Sequence, residues 1–263
     1  MILRDYHLHS KFSFDSNEEP ENICEAAIER GVSEICFTEH FEFGAPDDAE
    51  WPDIDVWNAE IDRLRSVYDG RLNILQGIEA GQPLKEPEKA KRLMDQLRNR
   101  LDYVIGSLHV VGDTGRPSKY EFTRDNYQDY FKRYFEEAKE LAEFGDFDVM
   151  GHITFPFRYP SRELVNEYPI ERYEKDIREI YDILVSRGKG IEINTSGYRT
   201  PLEDAMPGET LVRWYKEQGG TIITVGSDGH SARSACLNIA RGYESASIAE
   251  IGRVARYNRR EII

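Results

Sequence analysis

Ile2-Leu3-Arg4-Asp5-Tyr6-His7-Leu8-His9-Ser10 begins as an apolar strand and runs into two histidines separated by one residue. Side chains two apart in an extended chain point to the same side, so His7 and His9 aim at a common point, as two imidazole ligands of one ion must. Alone the pair says little, since His-x-His occurs by chance and histidines are more often packed or solvated than ligating. The rest of the chain decides its meaning, because the same arrangement recurs: a short apolar strand that ends in a potential metal ligand, followed by a helix.

Glu18-Glu19-Pro20 reads as a helix start, with acid and Pro in the first turn, and Gly31 as its C-terminal stop. Val32 to Thr38 is a second strand, ending in Thr38-Glu39-His40. A long acidic loop containing Trp51 precedes a helix over about 54–68. Leu72 to Ile78 is a third strand with Glu79 at its end. A charged helix over 85–100 leads to Asp102–Leu108, a fourth strand finishing at His109. An excursion over 112–120 and a helix over roughly 125–144 bring the chain to Phe147–Gly151, which finishes at His152. A helix over 170–187 precedes Gly190–Asn194, and a helix over 207–218 precedes Thr221–Val225, which ends in Gly226-Ser227-Asp228-Gly229-His230. The tail is expected to hold one or two more helices, including one over about 248–257.

Strands alternating with helices predict a parallel sheet with helical crossovers. The fold class expected is α/β, and in closed barrels of this type functional groups sit at the C-terminal ends of the strands. No linker, low-complexity tract or composition break appears, so residues 1–263 are expected to form a single domain. All six histidines of the chain fall at strand ends. Scattered surface histidines would not collect there.

The bulk properties fit. The 263 residues are 40% hydrophobic and 32% charged, enough for a core with well-solvated helices, and the mean hydropathy is -0.62. No apolar run approaches the ~20 residues of a membrane span, and no signal peptide is visible. Three well-separated cysteines with no Cys-x-x-Cys argue against a disulfide framework or a thiolate zinc site and suit a reducing cytoplasm. A net charge of -15 and a pI near 4.9 speak against a long nucleic-acid footprint, though not against a local cationic pocket for a small anion.

Imidazoles and carboxylates without thiolates suit zinc, manganese or iron. Six histidines with Glu79, Asp228 and Asp15 are too many donors for one ion. Two to three divalent ions are therefore expected, with Glu79 as the natural bridge. Ions ~3.5–4 Å apart can turn a bridging water into a hydroxide nucleophile, neutralise phosphate oxygens and stabilise a leaving alkoxide.

The residues carry a resemblance. Asp5-Tyr6-His7-Leu8-His9-Ser10, Phe37-Thr38-Glu39-His40, Gly151-His152 and Ser227-Asp228-Gly229-His230 are similar to the four motifs of the PHP (polymerase and histidinol phosphatase) superfamily. Gly77-Ile78-Glu79 and Gly106-Ser107-Leu108-His109 match between the second and third. The likeness runs from about 1 to 235 and is greatest to the histidinol-phosphate phosphatase branch. It implies a distorted, seven-stranded (β/α)7 TIM-like barrel with a trinuclear site: His7, His9, Glu79 and Asp228 on one ion, Glu79, His109 and His152 on a second, and Asp15, His40 and His230 on a third. Some superfamily members carry histidine where this chain has Asp15. Among these, Glu79, Asp228 and His230 are the expected catalytic residues. The branch also implies Arg158 and Arg199 as phosphate ligands; both lie on loops leaving strand ends, where a planar guanidinium can bind phosphate oxygens in bidentate fashion.

Other residues have two readings. Glu39 and Glu42 could orient imidazoles or be solvated loop carboxylates. Ser10 and Ser107 are expected to bond strand-end backbone. Asn194 belongs at the mouth and Glu192 in a polar barrel layer. Phe12, Phe14, Phe43 and Tyr159 line the pocket or simply pack, and Trp51 with Trp57 could contribute to a lid. The charge runs at 85–92 and 136–143 read as solvated helix faces.

The leading functional reading is a metal-dependent phosphomonoester hydrolase, a histidinol-phosphatase of histidine biosynthesis converting L-histidinol phosphate and water to L-histidinol and phosphate. The runner-up is a nucleotide or oligonucleotide phosphoesterase or exonuclease. A non-enzymatic metal-binding regulatory protein is disfavoured by the presence of both Glu79 and Asp228.

Overall fold

The computed structural model describes residues 2–44 and 50–263. Seven parallel strands lie in sequence order, β1 (Leu3–Leu8), β2 (Val32–Glu42), β3 (Asn73–Gly81), β4 (Tyr103–Ser107), β5 (Val149–Met150), β6 (Gly190–Asn194) and β7 (Ile223–Gly226). Helices α1 (Pro20–Glu29), α2 (Ile54–Val67), α3 (Pro87–Leu97), α4 (Tyr127–Phe144), α5 (Arg162–Glu167), α6 (Glu174–Ser186) and α7 (Glu209–Glu217) cover the outside, and α8 (Ile239–Ile248) follows β7. The strands are buried on both faces, which is why they read as short apolar runs.

Local signals act where the sequence places them. Pro20 opens α1 and Gly31, at φ +70°, closes it. Asp53 caps α2 by accepting the N–H groups of Asp55 and Val56.

The sheet is a nearly closed barrel. Its seam lies between β1 and β7, where Asp228 N–H donates to His7 O at 2.8 Å and His9 N–H to Gly229 O at 3.0 Å. The backbone that closes the barrel is thus the backbone that carries expected ligands.

The chain departs from expectation in the tail. Instead of a helix over 248–257, α8 stops at Ile248, and an irregular segment leads to an antiparallel pair, β8 (Tyr257–Asn258) and β9 (Glu261–Ile262). Tertiary contacts override local pattern here. Ala255 N–H bonds Ile223 O, Tyr257 N–H bonds the Tyr6 hydroxyl, and Arg260 N–H bonds Asp102 O. Tyr257 packs on Tyr6 and Tyr103, so the tail stoppers the end of the barrel opposite the ligands.

Trp57 is fully buried against Phe41, and Trp51 donates its indole N–H to Glu42 O. Trp57 is therefore core and not lid; the preceding loop residues 45–49 lie outside the described residues. No helix among the described residues is long and apolar enough to cross a membrane.

Candidate metal centre

Glu79 is the hub. Its carboxylate, 1% exposed on β3, meets four imidazoles at short range. His152 Nε2 lies 2.8 Å and His109 Nε2 3.1 Å from Oε1, while His7 Nε2 and His40 Nδ1 each lie 3.1 Å from Oε2. His9 Nε2 stands 3.4 Å from the same oxygen. Asp228 Oδ1 approaches His7 Nε2 at 3.9 Å and His9 Nε2 at 3.6 Å, and Asp15 Oδ2 lies 3.5 Å from His40 Nε2 and 3.3 Å from His230 Nε2. Every side chain singled out as a ligand is thus brought to one mouth, from six strands and the loops beyond them.

The strands position these groups simply. β2 and β3 pair residue for residue, His40 beside Glu79, so both reach the same height. β2 runs on to Glu42, two residues past His40 and on the same side. Asp228 adopts φ +52°, a left-handed conformation that turns its carboxylate back toward the histidines.

The electrostatics of the ion-free site are those of a cluster built for cations. Burial by itself disfavours the imidazolium of His7, yet the Glu192, Glu79 and Asp228 carboxylates outweigh it and push the pKa well up. The same competition, with Glu42 and Glu79 as partners, leaves His109 at about 9. His9 goes the other way: burial and its neighbours His40 and His230 hold it well down. Burial also works against the charge on Glu79, but His7, His109 and His40 keep its pKa well below the ordinary value.

The donors fit divalent ions. Among the described residues, five groups of three side chains around this hub, His7/His9/Glu79, Glu79/His109/His152, His9/His40/His230, His7/His152/Asp228 and His40/Glu42/His109, each present ligand atoms within 4.8 Å of one another. Among the described residues, His9 Nε2 is buried without a hydrogen-bond partner although it points into the cluster. An imidazole nitrogen left so in a polar cavity is a ligand in search of an ion.

Supporting groups were partly unforeseen. Glu192 is more than a polar layer: Oε1 accepts from His7 Nδ1 at 2.6 Å and Oε2 accepts the His152 main-chain N–H at 3.0 Å. Glu42 accepts from His109 Nδ1 at 2.6 Å. Both Glu39 and Glu42 are buried, which removes the solvated reading. Glu39 acts through serines, taking the Ser10 and Ser13 hydroxyls, and Ser13 Oγ lies 3.1 Å from His9 Nδ1. Ser107 bonds Glu79 itself at 2.6 Å in place of the backbone role expected of it, while Ser10 Oγ donates to Glu39 and also accepts the Phe12 N–H at 3.5 Å. Asn194 donates to Glu192 and Asp228.

Above the cluster is a small cavity of about 140 Å³ lined by Asp15, His40, Glu79, His109, His152, Asp228 and His230 with Arg116, Arg158 and Tyr159. Arg158 stacks on Phe155 and Tyr159, with its guanidinium carbon 4.9 and 5.2 Å from the ring centres. Arg116, from the excursion after β4 and not singled out in the sequence, sits 4.8 Å over Phe14. Arg199 lines an adjoining cavity with Arg158, Ser196 and His230, and its Nη2 donates to the carbonyls of Ser227 and Asp228. Tyr159 does line the pocket, whereas Phe43 is buried core.

Comparisons agree with this geometry. Residues 5–196 match the model of the PHP domain family. A histidinol-phosphatase of Lactococcus lactis is 31% identical over 245 residues, covering 89% of this chain and 87% of that protein. A probable histidinol-phosphatase of Deinococcus radiodurans is 29% identical, covering 87% and 86%. Among solved structures, histidinol phosphate phosphatase from Lactococcus lactis, complexed with zinc, L-histidinol and phosphate, superposes with a TM-score of 0.86 at 27% identity, covering 99% of this chain and 98% of that one. A seven-stranded barrel, histidines gathered at its strand ends and a family match over most of the length lead to one conclusion: the chain belongs to the PHP domain family.

Proposed function

We propose that this protein is a histidinol-phosphatase, a metal-dependent hydrolase that cleaves L-histidinol phosphate to L-histidinol and phosphate within histidine biosynthesis. The observation that carries the reading is Glu79, buried under a guanidinium-rimmed cavity with four imidazole nitrogens within 3.1 Å of its oxygens. The Lactococcus lactis relative, whose structure holds zinc, L-histidinol and phosphate, supports the choice of substrate.

In this reading His7, His9, Glu79 and Asp228 hold one ion, Glu79, His109 and His152 a second, and Asp15, His40 and His230 a third. Zinc, manganese or iron bound there supplies an activated water and positive charge for the phosphate oxygens. The protein's own groups do the rest. Arg158 presents a guanidinium held flat by Phe155 and Tyr159, and Arg116 presents a second across the cavity. Together they orient a dianionic phosphate and offset its charge. Arg199, exposed at the edge of the adjoining cavity, completes the anion-binding rim while its Nη2 steadies the Asp228 loop. His230, the most open imidazole of the set with a 30% exposed side chain, lies at the mouth, where it can serve the departing alcohol. The whole chain, 1–263, serves as one domain, and its buried free thiols suit a reducing cytoplasm.

A substrate panel tests the reading. Zinc-, manganese- and iron-loaded protein is expected to release phosphate from L-histidinol phosphate with a higher kcat/KM than from mononucleotides or phosphodiesters. Preference for a nucleotide or diester would replace it with the phosphoesterase alternative.

A further inference from the structure

Two carboxylates back the cluster, Glu42 also lying 3.4 Å from His40 Nδ1. Glu192, 1% exposed, comes from β6, a strand whose end offers no expected ligand, and Glu42, 4% exposed, comes from the extension of β2. Each touches the Nδ1 of a histidine whose Nε2 faces Glu79: Glu192 with His7 at 2.6 Å, Glu42 with His109 at 2.6 Å. An ionised carboxylate can only accept, so Nδ1 carries a hydrogen in both rings and Nε2 is the nitrogen left to bind an ion.

The space for each carboxylate is cut by a glycine on the neighbouring strand. A Cβ on Gly226 would lie 2.4 Å from Glu192 Oε1 and 2.4 Å from His7 Cβ. A Cβ on Gly81 would lie 2.4 Å from a Glu42 oxygen. Remaining bonds lock the carboxylates in turn. Glu192 Oε2 accepts the His152 N–H, and Glu42 Oε2 accepts from Gln82 Nε2 at 2.8 Å, while Gln82 Oε1 also takes the His109 N–H. The two sides of the hub are built alike: glycine, carboxylate, histidine Nδ1, then Nε2 toward Glu79.

We propose that Glu192 and Glu42 are paired positioning residues that fix the tautomer and ring orientation of His7 and His109, and so set the affinity of the centre for its ions on opposite sides of Glu79. The proposal rests on the metal-dependent reading above.

The test compares wild type, Glu192→Gln and Glu42→Gln, each stripped with chelator. Zinc affinity is measured by competition with a chromophoric chelator, and folding is checked by far-UV circular dichroism. Both variants are expected to stay folded and to bind zinc about 10–100-fold more weakly than wild type, the loss usual when an outer partner of a ligand histidine is removed. Their kcat/KM is expected to recover in excess zinc, which a mere packing defect would not do. Should either Gln variant fail to fold, Glu192→Asp or Glu42→Asp keeps the charge but withdraws the oxygen from Nδ1, and the same loss is expected. Wild-type affinity in both folded variants overturns the proposal, and loss in only one overturns the pairing. If wild type itself takes up no zinc, manganese or iron, the metal-dependent reading fails instead, so the two failures are distinct.

Discussion

Asp5 on β1 and Ser227 after β7 are joined twice across the barrel seam: Asp5 Oδ1 accepts the Ser227 N–H at 2.9 Å and Oδ2 accepts its hydroxyl. The same buried carboxylate also takes the N–H groups of His7 and Cys236. One side chain therefore ties together the first and last strands immediately beneath His7 and Asp228. An amide at this position would turn a donor toward these donors, and a buried unsatisfied group costs about 1–3 kcal/mol. Asp5→Asn is expected to lower unfolding stability by about that amount in urea titrations of the ion-free protein. An unchanged urea midpoint would show that the seam does not depend on it.

The tail is the second staple. Tyr257 is 3% exposed and fills the barrel end against Tyr6 and Tyr103. Tyr257→Ala is expected to cost about 3–5 kcal/mol, as large-to-small changes of buried aromatics do. Because the tail sits opposite the ligands, zinc content of the folded fraction is expected to remain that of wild type. Loss of zinc with stability intact would contradict this division.

Ion uptake is expected to release protons. Burial opposes the charge on His109, but Glu42 and Glu79 outweigh it and hold its pKa at about 9; His7 is pushed up likewise by Glu192, Glu79 and Asp228 against burial. At neutral pH these rings carry protons that ligation must displace. Apparent zinc affinity therefore rises as pH increases from neutral toward 9. Calorimetry in buffers of different ionisation enthalpy measures the released protons directly; a net release of zero at pH 7 would contradict the electrostatics described.

The arginines are expected to differ. Arg158 contacts aromatic rings and faces the cavity, so Arg158→Ala is expected to raise KM with kcat little altered. Losing a charge-assisted contact is worth about 1.5–3 kcal/mol, roughly ten- to a hundredfold. Arg199 also bonds the carbonyls of Ser227 and Asp228, so Arg199→Ala is expected to depress kcat as well. Steady-state kinetics on histidinol phosphate separate the two; equal effects on both parameters in both variants would remove the distinction.

Much of this was legible in the sequence, and for a physical reason. Parallel strands place their C-terminal residues at one end of the barrel, so His40, Glu79, His109, His152 and Asp228 could be assigned to one mouth before any coordinates. What escaped depends on partners distant in sequence. Glu192 read as an interior polar residue, because nothing near it announces His7, 185 positions away. Arg116 lies on an excursion whose path is set by packing on Phe14 and not by periodicity. The tail is expected to be helical over about 248–257, while the contacts that order it belong to the barrel end. Trp57 sits in a core whose shape local pattern does not reveal.

The central claim is that ions gathered around Glu79 make this barrel a phosphomonoesterase. The direct measurement is phosphate release from L-histidinol phosphate as zinc is titrated, one equivalent at a time, into ion-free protein. Activity is expected to be absent without zinc, to lag through the first equivalent and to rise as the second and third bind. Full activity in the stripped protein, or saturation at a single ion per chain, would contradict the account.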